Sequence, residues 1–315
     1  MPFDPSLLRC TGDLRRVGVV PPARDADGSP RWVRVRRGAW YPAAGWTGLD
    51  AAGRYAALVH ATALVGLGEG QLCFSHESAA VLLGLPRIGA WPDVVHVLAD
   101  GRAGWSGIVR RHTFEGVEPI GHAGLRVTSP ARTVVDLARC TGFTSALAAA
   151  DHALREELCT PEDLVAALDA LPRRASGLRV SETVVRLADP RSMSVGESLS
   201  RAQMFLHNLP RPELQVAWEH EEGLIGYTDF GWDEVVGEFD GKVKYGAELS
   251  AGDPAGVVWR EKLREDRLRA RGARVARWVW REAVHPEGMV ARLAAQGIRP
   301  QRRNTWFDAG EAEAG

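Results

Sequence analysis

The sequence predicts an α/β fold of the α+β kind, organised as two main domains. Two observations lead there. Segments with helical and with strand periodicity both recur along the chain. The last third runs helix, three strands, helix, strand, and a break at A-D-P-R-S-M-S sets it apart from a mixed, mainly helical region upstream. A chain of 315 residues has room for both domains and a small further element.

Composition narrows the class. The chain is 45% hydrophobic and 25% charged with a formal net charge of -1, ordinary for a globular protein and unlike a polybasic coat. No apolar run is long enough to span a bilayer, and M-P-F-D-P-S-L-L-R lacks the features of a signal peptide, so a cytoplasmic protein is expected. The four cysteines (Cys10, Cys73, Cys140, Cys159) and the nine scattered histidines show no metal-ligand spacing; free thiols are expected and zinc is not. A Walker loop, a G-x-G-x-x-G helix opening and a G-x-S-x-G elbow are all missing, which argues against the chemistries they serve.

Residues 1–48 read as a degenerate winged-helix or β-hairpin element. Leu7, Leu8, Leu14 and Val17 hint at a short helix, and R-W-V-R-V-R-R-G-A-W-Y-P alternates as a strand. Arg31, Arg34, Arg36 and Arg37 then sit either where a wing meets phosphate or on a solvated basic edge. Residues 49–188 form the mixed domain. A helix covers Asp50 to Leu67, and Ser75 caps a second that ends at Gly84. D-V-V-H-V-L-A is a strand expected to pair with G-I-V-R-R-H-T across the glycine-rich turn between them. Ser129-Pro130 and Thr160-Pro161 are helix starts, a capping side chain followed by proline at the first helical position. A further helix is expected from Glu182 to Leu187. His76, Arg132 and Asp136 invite a site reading, against which stands a structural one of an ordinary i, i+4 ion pair and a lone histidine.

Residues 189–299 carry the chemistry. Y-T-D-F-G-W-D-E-V-V-G-E-F-D-G-K-V-K-Y, from Tyr227 to Tyr245, reads as two strands and a tight turn. The strand period places Glu238, Asp240, Lys242 and Lys244 on one face, with Asp229 ending the neighbouring strand. Carboxylates at this density suit a hard cation such as Mg²⁺ (or Mn²⁺). The competing reading is a solvated edge face. A second helix is expected from about Val257 to Arg271 and a last strand over A-R-V-A-R-W-V-W; residues 300–315 are expected to be a disordered tail.

G-E-S-L-S-R, D-F-G-W, V-V-G-E-F-D-G-K-V-K-Y, E-K-L-R-E-D-R-L and V-A-R-W-V-W, in that order, resemble the Vsr-like branch of the PD-(D/E)xK endonucleases. The resemblance implies a restriction-endonuclease-like αβββαβ core and Mg²⁺-dependent DNA phosphodiester hydrolysis, in defence, repair or a toxin–antitoxin setting. By that resemblance Asp229 and Glu238 bind the metal together with the Phe239 carbonyl, and Asp240 is a third ligand. Asp240 stands where the family usually has lysine, which passes the task of orienting water or meeting phosphate to Lys242 or Lys244. Glu197 reaches the outer shell of the metal or pairs with Arg201. Lys244, Arg260, Lys262 and Arg264 hold the DNA backbone, and Lys262 and Asp266 share a sheet-facing side of their helix. Trp232 either stacks on DNA or packs.

Upstream, S-H-E-S-A-A-V-L-L-G-L-P, V-V-H-V and V-T-S-P-A-R-T-V-V-D-L-A-R are similar to AbiEi-like antitoxins. That resemblance implies DNA and a cognate toxin as partners. It also implies an alternative function: a non-catalytic, DNA-binding regulator or antitoxin that keeps the nuclease fold as a scaffold.

Overall fold

The computed structural model describes residues 2–25, 27–66, 72–99, 103–113, 117–220, 223–241 and 263–308. The chain is α+β and divides into two compact units, the first holding residues 1–153 and 157–186, the second residues 154–156 and 187–315.

The first unit opens with β1 (Arg9–Cys10), α1 (Thr11–Arg16), β2 (Trp32–Arg36), β3 (Ala39–Pro42), α2 (Ala43–Trp46) and α3 (Ala51–Val65). β2 and β3 form the antiparallel hairpin the alternation predicts, in a three-stranded sheet ordered β1-β3-β2. Arg31, Arg34 and Arg37 are exposed on it, while Arg36 is half-buried. A six-stranded sheet follows, built from β4 (Cys73–Phe74), β5 (Val95–Ala99), β6 (Gly104–Ser106), β7 (Val109–Thr113), β8 (Ile120–His122) and β9 (Leu125–Val127), in the order β6-β7-β5-β4-β9-β8. α4 (His76–Leu82), α5 (Pro130–Cys140), α6 (Phe143–Arg155), α7 (Pro161–Asp169) and α8 (Leu178–Leu187) complete the helices.

Both proline-marked helix starts form. Ser129 accepts from the Arg132 amide at the head of α5, and Thr160 makes a capping box with Asp163 at the head of α7. Two expectations need correction. β5 and β7 do pair, but in parallel, because β6 forms the hairpin with β7 and turns the chain back first. The last helix of the unit begins at Leu178, a turn before the expected Glu182.

The second unit contains α9 (Val195–Leu206), β10 (Glu213–His220), β11 (Gly223–Trp232), β12 (Val235–Asp240), a helix α10 over residues 263–270, β13 (Arg274–Val279), α11 (Trp280–Val284) and α12 (Glu287–Ala295). The sheet order is β10-β11-β12-β13, antiparallel until the parallel β12–β13 pair. Val236, Leu268 and Ala273 form a buried cluster that seats α10 on one face. α9 covers the other, where the Trp278 indole donates to Ser200 Oγ at 2.8 Å and stacks near Phe230. The final strand ends at Val279, and Trp280 opens α11. Residues 301–308, expected to be disordered, are docked: Trp306 is buried, its indole donates to the Leu209 carbonyl at 2.7 Å, and Asn304 donates to the Phe205 carbonyl.

Gly196 is why α9 lies so close to the sheet, since a Cβ there would overlap the Phe239 ring. Gly196→Ala improves helix propensity by about 1 kcal/mol but forces overpacking that typically costs about 1–3 kcal/mol. We expect net destabilisation, read as a lowered urea midpoint. An unchanged or raised midpoint would mean that α9 does not rest on Phe239.

Candidate functional site

Strand register builds a row of polar side chains across the second unit. Leu214 pairs with Phe230 and Val216 with Thr228, which sets Gln215 opposite Asp229 between them. Phe230 pairs with Gly237, one step before Glu238, and Glu238 pairs with Arg277. Gln215, Asp229, Glu238 and Arg277 therefore stand level on four neighbouring strands. Gln215 has φ 52°, the left-handed region that a residue with a side chain rarely adopts. The strained position coincides with the row.

Glu197 joins the row from the first turn of α9. Its Oε2 accepts from Gln215 Nε2 at 3.2 Å and from the Met193 amide at 2.9 Å, and its Oε1 accepts from Ser194 Oγ at 2.7 Å. Ser194 in turn caps the Glu197 amide, so Glu197 also closes the helix start. Arg201 donates to the Leu187 carbonyl. Asp229 Oδ2 accepts from the Phe239 amide at 2.7 Å. Desolvation first, then the Glu197 and Glu238 charges, push its carboxyl up to about 7 against that hydrogen bond and Arg264.

Glu238 is buried and flanked by two arginines. Its Oε2 meets Arg277, and Oε1 lies 2.9 Å from Arg264 Nη2. Proximity and alignment disagree here, for Oε1 accepts no hydrogen bond among the described residues despite that ion-pair distance. Arg264 therefore balances Oε1 as an ion pair, without an aligned hydrogen bond. Three buried or half-buried carboxylates, a carboxamide and one unaligned carboxylate oxygen are an all-oxygen set of the kind Mg²⁺ or Mn²⁺ accepts, so these residues fit such an ion.

The predicted residues fall as follows. Asp229, Glu238 and Glu197 come together. Asp240 ends β12, half-buried, on the Glu238 side of the strand. Arg264 reaches the cluster and also donates to the Tyr227 carbonyl. Lys242, Lys244, Arg260 and Lys262 lie outside the described residues. Asp266 is exposed, a correction: the sheet-facing side of α10 carries Arg264 and buried Leu268, one helical turn apart. Trp232 packs, nearly buried, with its indole donating to the Pro210 carbonyl at 2.9 Å. Gln215 and Arg277 were missed in the sequence, where they read only as strand residues; their signal was register against Asp229 and Glu238.

In the first unit, buried Asp136 accepts from Arg132 Nε at 2.9 Å and pairs with Arg139 at 3.4 Å, while burial raises its carboxyl. Arg132, Asp136 and His76 line one cavity of about 440 Å³. The cysteines are free thiols.

Comparison with known families finds the AbiEi antitoxin C-terminal domain model over residues 73–182, about a third of the chain. That stretch holds the six-stranded sheet and the helices after it, so an AbiEi-like region is present. No curated protein matches the chain. Among the described residues no helix is long and apolar enough to cross a membrane.

Asp229 gives a pH prediction. Its folded carboxyl titrates near 7 rather than about 4. Between those values the folded chain holds a proton that the unfolded chain has lost, so this group's contribution to stability falls as pH rises through the window. In metal-free protein Asp229→Asn should gain stability relative to the parent as pH goes from about 5 to about 8. Urea unfolding of both proteins measures it, and a pH-independent difference would contradict the shift.

Proposed function

We propose that this chain acts in a toxin–antitoxin or defence setting, pairing its AbiEi-like region with a second unit that hydrolyses DNA phosphodiesters with a divalent cation. One observation carries the catalytic half: Glu197, Asp229 and Glu238 converge on the level row of a sheet whose strand order and helix placement suit a PD-(D/E)xK core. The family match supports the setting.

In this reading Asp229 and Glu238 would hold Mg²⁺ or Mn²⁺ with the Phe239 carbonyl, and Asp240 would be a further carboxylate ligand. Bound there, the ion would polarise the scissile phosphate and lower the pKa of a coordinated water. Glu197 orients Gln215 and adds negative charge behind Asp229. The Phe239 amide holds the Asp229 carboxylate in place by donating to its Oδ2 at 2.7 Å. Arg264 and Arg277 balance Glu238 and are placed to meet backbone phosphate, with Lys242, Lys244, Arg260 and Lys262 extending that basic side.

A second reading has its own support. The family match describes an antitoxin, and Glu238 already faces two arginines. A regulator that binds DNA or a cognate toxin through the same basic residues, without cutting, would use the second unit as a scaffold.

Nicking of supercoiled plasmid in Mg²⁺ or Mn²⁺ separates them. Catalysis predicts metal-dependent cutting that drops at least about 100-fold in Asp229→Ala and in Glu238→Ala, with circular dichroism unchanged. Cutting that survives both variants would overturn the site. DNA binding by gel shift with no cutting of plasmid, single-stranded or mismatched DNA would favour the regulator.

A further inference from the structure

The fold gathers three histidines that the sequence keeps far apart. His76 opens α4, His96 lies in β5 and His112 in β7. The parallel register pairs His96 with Arg110 and Leu98 with His112, so the two strand histidines project from one face at diagonal positions. Each of the three offers one ring nitrogen, and these nitrogens all lie within 4.8 Å of one another. His96 Nδ1 and His112 Nε2 are 2.9 Å apart. Imidazole nitrogens on a tetrahedral Zn²⁺, at about 2.0–2.1 Å from the ion, stand roughly 3.3 Å apart, so the pair is already near ligand spacing. His76 stacks on His112 with ring centroids 3.9 Å apart, and its Nδ1 lies 3.0 Å from Ser75 Oγ.

Two further observations distinguish this cluster from three core histidines. Glu77 is buried, and its Oε2 lies 3.5 Å from His96 Nε2 yet accepts no hydrogen bond among the described residues. A carboxylate behind one imidazole nitrogen is the outer-shell arrangement that leaves the other nitrogen for a metal. His76 also holds φ 51°, a strained backbone that aims its ring into the cluster.

We propose that His76, His96 and His112 form a binding site for a nitrogen-preferring divalent metal, Zn²⁺ in the first instance, with Glu77 as the positioning carboxylate. Three nitrogen ligands leave a fourth position open. His76 and His112 both line the cavity of about 440 Å³, which Arg110, Arg132 and Arg139 also line. That wall suits water or a small anion as the fourth ligand. The site is nitrogen-rich and in the first unit, and it stands independently of the oxygen-rich row in the second.

The test uses the full chain stripped with chelator and titrated with Zn²⁺ against a chromophoric competitor, and separately with Co²⁺. We expect one Zn²⁺ per chain, retained in Asp229→Ala, and visible Co²⁺ bands of a four-coordinate site. Zn²⁺ affinity should fall about 10- to 100-fold in Glu77→Gln, the usual effect of losing an outer-shell partner, and further in His112→Gln. Folded parent protein that takes up no stoichiometric Zn²⁺ and gives no four-coordinate Co²⁺ spectrum would overturn the proposal whether or not the variants fold. So would an affinity unchanged in folded His112→Gln, leaving the histidines a hydrogen-bonded part of the core.

Discussion

The second unit depends on how it tolerates like charges out of water. Glu197, Asp229 and Glu238 converge at the level row of the sheet, where desolvation and the two neighbouring carboxylates raise the Asp229 carboxyl. The chain balances this unevenly. Glu238 receives Arg264 and Arg277, Glu197 receives a helix cap and Gln215, and Asp229 receives one backbone amide. An arrangement selected for stability alone would more simply replace such groups by apolar ones. A raised carboxyl at Asp229, with two more carboxylates beside it and a strained residue opposite, is the kind of arrangement found at functional sites.

The packing around the row holds it in place. Gly196 lets α9 settle against Phe239, and Trp278 ties strand β13 to Ser200 of the same helix. Those contacts fix Glu197 relative to Asp229, because Glu197 sits in the helix turn that Gly196 brings down. On the opposite face Leu268 seats α10 and so delivers Arg264 one turn earlier to Glu238. Site and core share the same elements, which is why a change at a buried glycine reaches the carboxylates.

What the sequence disclosed follows from which forces are local. Helix starts at Ser129-Pro130 and Thr160-Pro161 depend on neighbours three residues away and were legible. So were Asp229 and Glu238, adjacent in one hairpin. Gln215 and Arg277 join the row only through register with distant strands, and His96 and His112 meet through the parallel pairing of β5 and β7. The docked segment 301–308 looked polar and tail-like, and only the burial of Trp306 against the Leu209 carbonyl reveals why it is ordered.

We propose that the carboxylate row holds a divalent cation. Electron paramagnetic resonance of free Mn²⁺, titrated into the chelator-stripped full chain, measures this without requiring turnover. The account predicts saturable Mn²⁺ uptake that competes with Mg²⁺, weakens strongly in Asp229→Asn and Glu197→Gln, and persists in His112→Gln. A folded parent chain that leaves all the Mn²⁺ free at millimolar concentrations, or variants that bind it as well as the parent does, would contradict the account.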